Sequence, residues 1–310
     1  MVGGEPLVHI GYHKSGTTWL QQEVFGGSAP SFRLAWSQRA ITDCFIAVND
    51  LTFSEDVASQ YLVKSRVGAA DAPQGVDVLS HERLSGNPHS GGYDSRAIAD
   101  RLRATIPRAK VLIVIRNQPA MILSCYKQYI HVGGTRSLQR YLAPPRRGRS
   151  RVPQFTLAFF EYHRLIAYYQ SLFGHEHVLV LPFESLAVDA SAFVERIALF
   201  AGAHLPQHVS TSRRNVSMSG LGVRLQRPLN FFFVRDTVNP SAPFDLPRVA
   251  GGLCRGVKTL DRLFPRGLRS AADRPLLRTV ASSTAGYFAE SNRRTAELTG
   301  LDLSAFGYEL

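Results

Sequence analysis

The sequence predicts an α/β fold in which a central parallel sheet is flanked by helices. Three observations carry that expectation: short apolar runs alternate with helical patterns, Lys110–Ile115 is a run dominated by β-branched residues and apolar throughout after Lys110, and a Gly- and Ser/Thr-containing turn joins the first run to a helix. A run that is apolar at every position is a strand covered on both faces, which is the habit of parallel sheets. In such sheets ligands bind at the carboxyl ends of the strands.

The elements follow in order. Pro6–Tyr12 reads as a short buried strand, and Thr17–Phe25 as the helix after the turn. Gly75–Ser80 is the second strand. Asp94–Thr105 has helical spacing through Ile98, Leu102 and Ile106, and Pro107 closes it. After the Lys110–Ile115 strand, Pro119–Tyr129 opens with a proline suited to a first helical turn. His177–Leu181 is a further strand and Ala190–Ala201 an amphipathic helix. Two stretches read as loops or lids: the basic, proline-flanked Ala143–Pro153, and Asn239–Gly252, which precedes a basic segment, Arg255–Arg269. One domain over residues 1–310 is expected, with loop insertions around 143–153 and 228–276.

Composition narrows the classes. The chain has 310 residues, 45% of them hydrophobic, enough for a large core. The longest apolar runs fall far short of the ~20 residues a spanning helix needs. Met1–Pro6 lacks the basic start of a signal peptide. Cys44, Cys125 and Cys254 are odd in number and far apart, so the expected location is a reducing cytoplasm. The net charge is +12, and arginine far outnumbers lysine. Arginine suits bidentate recognition of phosphate, sulfate and carboxylate. A polyanionic nucleotide fits that balance, and the basic surface also leaves room for a peripheral contact with an anionic membrane.

The strongest local feature is Gly11-Tyr-His-Lys-Ser-Gly-Thr-Thr-Trp-Leu20, between strand and helix. A tight turn there gathers backbone N–H groups, and the helix N-terminus adds partial positive charge. Ser15, Thr17 and Thr18 supply hydroxyls, and Lys14 a mobile point charge. Set against the ATP loop GxxxxGK[ST], Gly11 and Gly16 align, but Thr17 stands where the nucleotide-binding lysine belongs.

With its lysine ahead of the second glycine, Lys14-Ser-Gly-Thr-Thr-Trp-Leu20 resembles the PAPS (3′-phosphoadenosine 5′-phosphosulfate)-dependent sulfotransferase family. There a [KR]xGTTxL loop grips the 5′-phosphosulfate. The resemblance implies a P-loop-like, PAPS-binding fold, a bacterial-type member, release of PAP as product, and no metal. Lys14, Ser15, Gly16, Thr17, Thr18 and Trp19 are the implied donor-binding residues. It also implies a 3′-phosphate site at Arg116, which ends Val111–Arg116, and Ser124, eight residues on. Arg213, Arg214 and Asn215 stand where better-known members carry Arg-Lys-Gly closing over that phosphate. Val178–Leu186 and Tyr287–Tyr308 are similar to late segments of the family. The resemblance is weakest over residues 31–74 and 228–276.

Transfer of a sulfuryl group by in-line displacement needs a base for the acceptor proton and a cation for the leaving oxygen. Lys14 suits the second role. For the first, Val78–Leu84 offers His81 and Glu82 at adjacent positions, which point to opposite faces if extended. Bacterial members favour the glutamate, whereas His81 has the more convenient ordinary pKa. Competing expectations are a P-loop kinase or nucleotide hydrolase, and a non-enzymatic basic binder of nucleic acid or anionic lipid. The sulfotransferase reading implies a small-molecule, carbohydrate or lipid acceptor bearing a hydroxyl or amine, and no nucleic-acid partner. The sequence specifies neither the acceptor nor the oligomeric state.

Overall fold

A computed structural model describes residues 5–26, 31–67, 75–144, 153–205, 218–233, 243–244 and 246–310. Arg213, Arg214, Asn215 and most of the Ala143–Pro153 stretch lie outside the described residues. In chain order the elements are β1 (Leu7–His9), α1 (Thr17–Trp19), β2 (Phe32–Leu34), α2 (Gln38–Ile41), α3 (Glu55–Ser65), β3 (Val76–Ser80), α4 (Ser95–Thr105), β4 (Lys110–Ile115), α5 (Gln118–His131), α6 (Leu138–Leu142) and α7 (Tyr162–Phe173). They continue with β5 (Val178–Pro182), α8 (Phe183–Val188), α9 (Ala190–Ala201), α10 (Gly220–Phe233), α11 (Pro247–Leu263), α12 (Arg266–Thr284) and α13 (Ala289–Thr299). These elements group into two compact units: Met1–Asn117 with Ala158–Arg214 and Phe288–Leu310, and Gln118–Leu157 with Asn215–Tyr287.

The first unit carries a five-stranded sheet in the order β2-β3-β1-β4-β5, with every neighbouring pair parallel. Alternate side chains of β4 point to opposite faces. Leu112 and Val114 join Leu7, Val78 and Leu181 against Phe193, Val194 and Ile197 of α9. Helix α7 packs on β4 and β5, and α4 and α13 pack on α7. Both faces of β4 are thereby covered, and Val111–Ile115 is fully buried.

β4 and α9 have the bounds expected from sequence, and β3 and β5 differ from theirs by a residue. β1 is shorter than Pro6–Tyr12, because the chain leaves the ladder after the Ile10 amide donates to Leu112 O at 3.1 Å. The expected Thr17–Phe25 helix is one α-turn followed by a wide π-turn, Leu20–Val24. In that turn the Phe25 amide donates to Leu20 O at 2.8 Å. The wider spacing lets Leu20, Val24 and Phe25 all reach the core.

The second unit is helical. α10 packs on α5, α11 and α12, and α6 packs on α12. The loop expected over Asn239–Gly252 is corrected from Pro247 onward, where α11 begins, while residues 239–242 and 245 lie outside the described residues; the basic segment that follows belongs to α11 and α12. Glycines at 251, 252 and 256 masked the pattern, yet a Cβ at any of them meets nothing within 4 Å, so they sit harmlessly on the helix. Asp261, 1% exposed, holds this unit's N-terminal α10 turn. It accepts from the Ser219 amide at 3.0 Å, the Ser219 hydroxyl, and the Gly222 amide at 3.2 Å, and it pairs with Arg269 at 3.3 Å. Asp273 accepts from the Gly220 amide at 2.7 Å and pairs with the buried Lys127 ammonium at 2.8 Å.

Removing one member of a buried charged network strands its partners. Asp261→Ala should therefore lower the unfolding free energy by about 3 kcal/mol, read from urea denaturation; a loss below about 1 kcal/mol would contradict this role for Asp261.

Candidate active site

The first unit brings several of the sequence-selected residues together beyond the end of β1. Tyr12, 1% exposed, anchors the loop by edge contacts with Tyr162 and Phe159, ring centroids 4.7 and 5.3 Å away. The turn then passes through two left-handed residues, Lys14 (φ 65°) and Gly16 (φ 87°). Lys14 is the one non-glycine residue with positive φ among the described residues, a conformation that costs about 1 kcal/mol. A Cβ on Gly16 would lie 2.8 Å from the Phe183 ring, so glycine is needed for space as well as for φ. The first helical bond is Leu20 N to Gly16 O at 3.0 Å, and the Thr17 and Thr18 amides precede it at the positive end of the turn.

The hydroxyls of this loop differ in their surroundings. Ser15 Oγ donates to Tyr12 O at 2.5 Å and fastens the turn internally. Thr17 is buried and its Oγ1 has no partner among the described residues. Thr18 is exposed, and Trp19 packs against the apolar core.

Arg116, the residue after β4, reaches back to this loop. Its Nη1 donates to Lys14 O at 2.8 Å, and its guanidinium lies over the Phe183 ring, 5.1 Å from the centroid. Its own carbonyl accepts from Tyr162 Oη at 2.5 Å. The neighbouring Asn117 amide donates to Glu184 at 3.0 Å, and Tyr308 Oη donates to the other oxygen of that carboxylate at 3.1 Å. No carboxylate among the described residues pairs with either Lys14 or Arg116. Two cations left open beside a helix N-terminus make this a candidate anion site. Ser124 lies on α5 in the other unit, 9% exposed.

The end of β3 supplies a second cluster. The His81 amide still donates to His9 O at 3.2 Å, and the chain then turns through Glu82–Ser85. His81 Nδ1 accepts from the Arg83 amide at 3.0 Å, which leaves the neutral ring with its proton on Nε2 and no free basic nitrogen. Glu82 instead faces His13, whose Nδ1 is 3.4 Å from Oε1. Burial alone would raise the Glu82 pKa. The His13 contact and the nearby charges of His13, Lys14 and His81 outweigh it and hold the carboxyl at about 2. Sequence reasoning gave no role to His13 or Phe183. The signal for the first was its place directly before Lys14 inside the loop; nothing local marked the second.

The sulfotransferase domain family model matches residues 5–219, more than half of the chain. The chain belongs to the sulfotransferase domain family, and it is a sulfotransferase enzyme. Among solved structures, the chain is similar to the crystal structure of a sulfotransferase from Alicyclobacillus acidocaldarius. That match has a TM-score of 0.59 and 16% identity, and covers 98% of this chain and 99% of the other, so it establishes a shared fold. No curated protein sequence matches. Family membership displaces the kinase, hydrolase and non-enzymatic readings. No helix among the described residues is long and apolar enough to cross a membrane.

Three histidines of the first unit are held neutral. Burial is the leading cause for each: His9 is lowered to about 3, and His81 and His89 to about 4, from an ordinary 6.5. Between pH 6.5 and 4 the unfolded chain therefore binds more protons than the folded one, so stability must fall as pH drops through that window. Glu82 acts lower down: its stabilisation is present above about 4.5 and is lost as pH falls toward about 2. The expected result is a melting temperature that declines steadily from pH 6.5 to pH 4. A level profile over that range would mean the rings titrate freely in the folded protein.

Proposed function

We propose that this sulfotransferase takes its sulfuryl group from PAPS and delivers it to a hydroxyl or amine of a small-molecule, carbohydrate or lipid acceptor. The observation that carries the reading is the open cation pair at the β1 and β4 ends, with Lys14 held in a left-handed turn by Arg116. PAPS, when bound, supplies the transferable group and leaves as PAP.

Lys14 and the amides of Gly16, Thr17, Thr18 and Trp19 bind the 5′-phosphosulfate in this reading. The partnerless buried Oγ1 of Thr17 supports it as a hydroxyl whose partner is a ligand oxygen. Ser15 shapes the loop through Tyr12 O and offers the ligand little more. Arg116 with Ser124 binds the 3′-phosphate, a role supported by Arg116's free donors and by the eight-residue spacing. Arg213, Arg214 and Asn215 close over the same phosphate on the strength of sequence resemblance alone. The single-domain reading is kept, since the family match spans segments of both compact units.

Glu82 takes the acceptor's proton, and Lys14 meets the charge that develops on the leaving phosphate oxygen. His81 is the weaker choice for base, because Nδ1 is occupied by the Arg83 amide. His13 positions Glu82 and holds it ionised. The protein is expected to work in the cytoplasm and without a metal.

Two measurements test this. Arg116→Ala should weaken PAP binding by about 10- to 100-fold in titration calorimetry, the loss expected for a charged hydrogen bond. Lys14→Ala should act mainly on kcat. Unchanged PAP affinity in the arginine variant would remove the 3′-phosphate assignment. Glu82→Gln should reduce kcat by at least about 100-fold with labelled PAPS and a hydroxyl acceptor panel. His81→Asn should retain most activity, and equal rates in the two variants would sink the choice of base.

A further inference from the structure

Helix α11 presents three distinct faces. Ala250 and Asp261, 7% and 1% exposed, with the partly buried Cys254, turn toward α10, where Gln226 Nε2 donates to Cys254 Sγ at 3.1 Å. Seven-residue spacing keeps residues on one stripe of a helix. Arg248, Arg255 and Arg262 form one such stripe, and all three are exposed. Val249, Gly256 and Leu263 form the next, with Leu260 alongside. Val249 and Leu260 are each 46% exposed and Leu263 is 76% exposed. Past the helix end, Leu268 at the start of α12 is also exposed, at 55%.

The charge on this stretch has one sign. Pro247–Arg278 contains seven arginines and one lysine against two carboxylates. Both carboxylates are consumed inside the unit: Asp261 by Ser219, Gly222 and Arg269, and Asp273 by Gly220 and Lys127. What faces outward is a cationic stripe beside an apolar one, on a helix whose third face is already committed.

We propose that this face of α11 and the start of α12 docks on an anionic phospholipid membrane, with the helix lying in the plane of the headgroups. Val249, Leu260, Leu263 and Leu268 enter the acyl boundary, and Arg248, Arg255 and Arg262 reach the lipid phosphates beside them. Charge complementarity selects this occupant. A second copy of the chain would bring a like-charged stripe against the first, and a nucleic acid would use the arginines while leaving the leucines in water. The inference stands apart from the PAPS reading, because none of these residues belongs to the loop or to the β3 and β4 ends.

The test is sedimentation of the full chain with vesicles of phosphatidylcholine alone and with phosphatidylglycerol added. Expected is binding to the anionic vesicles, at least 10-fold weaker to the neutral ones, and reduced by raised salt. Arg255→Glu/Arg262→Glu and Leu263→Ser/Leu268→Ser should each weaken binding at least 10-fold while circular dichroism and PAP affinity stay as in wild type. Circular dichroism separates lost docking from lost folding. The idea is overturned if the folded wild type ignores anionic vesicles. It is equally overturned if the leucine variant binds them as wild type does, which would leave only a polyanion surface, or if that variant instead abolishes self-association.

Discussion

One hydrogen bond organises the β1 and β4 ends of the sheet: Arg116 Nη1 to the carbonyl of Lys14, 2.8 Å. It follows from register. His9, the last residue of β1, lies opposite Leu112, and β4 runs on to Ile115. The surplus length of β4, about 10 Å at a strand's rise per residue, overhangs the place where β1 has stopped. The loop of residues 10–16 turns beneath that overhang, and the arginine at the end of β4 is the group that reaches it. The same bond fixes a lysine in a backbone conformation that lysine does not prefer. Phe183 completes the clamp, lying against Gly16 on one side and under the guanidinium on the other.

The clamp has an electrostatic consequence. Arg116 spends donors on a carbonyl and a ring face, neither of which cancels its charge. The carboxylate close by, Glu184, is occupied by the Asn117 amide and Tyr308. Among the described residues Lys14 likewise has no paired carboxylate. Structural arginines and lysines in this protein behave otherwise: Arg101 pairs with Asp50, Arg83 with Asp94, and Lys127 with Asp273. On the proposed reading, the contrast marks the two open cations as groups kept for a ligand.

Much of this was legible in the sequence, and the failures have physical causes. β4 and α9 have the expected bounds because burial on both faces, or on one helical stripe, writes a periodicity that nothing else at those positions competes with. α11 was hidden because its exposed side tolerates glycine, which reads as a loop signal when burial cannot be seen. β2, three residues long, is too brief to show a period. In the site, Lys14, Gly16 and Arg116 were marked by spacing around a turn. The His13–Glu82 contact joins residues 69 apart and depends on β3 lying beside β1, a fact of sheet order rather than of motif.

That contact also exposes a tension in the proposed chemistry. The His13 contact, with the Lys14 charge that suits an anionic donor, holds Glu82 at about 2, which makes it a poor base in the ligand-free protein. The part due to Lys14 is electrostatic, so it is reversible by charge. A polyanion seated on Lys14 and the loop amides offsets Lys14's share of that field, while the His13 contact and the burial that pushes the pKa up both remain. Glu82 then gains some basicity when the donor is in place. On the proposed reading Lys14 both binds the donor and sets part of the strength of the base, and His13 sets the larger part.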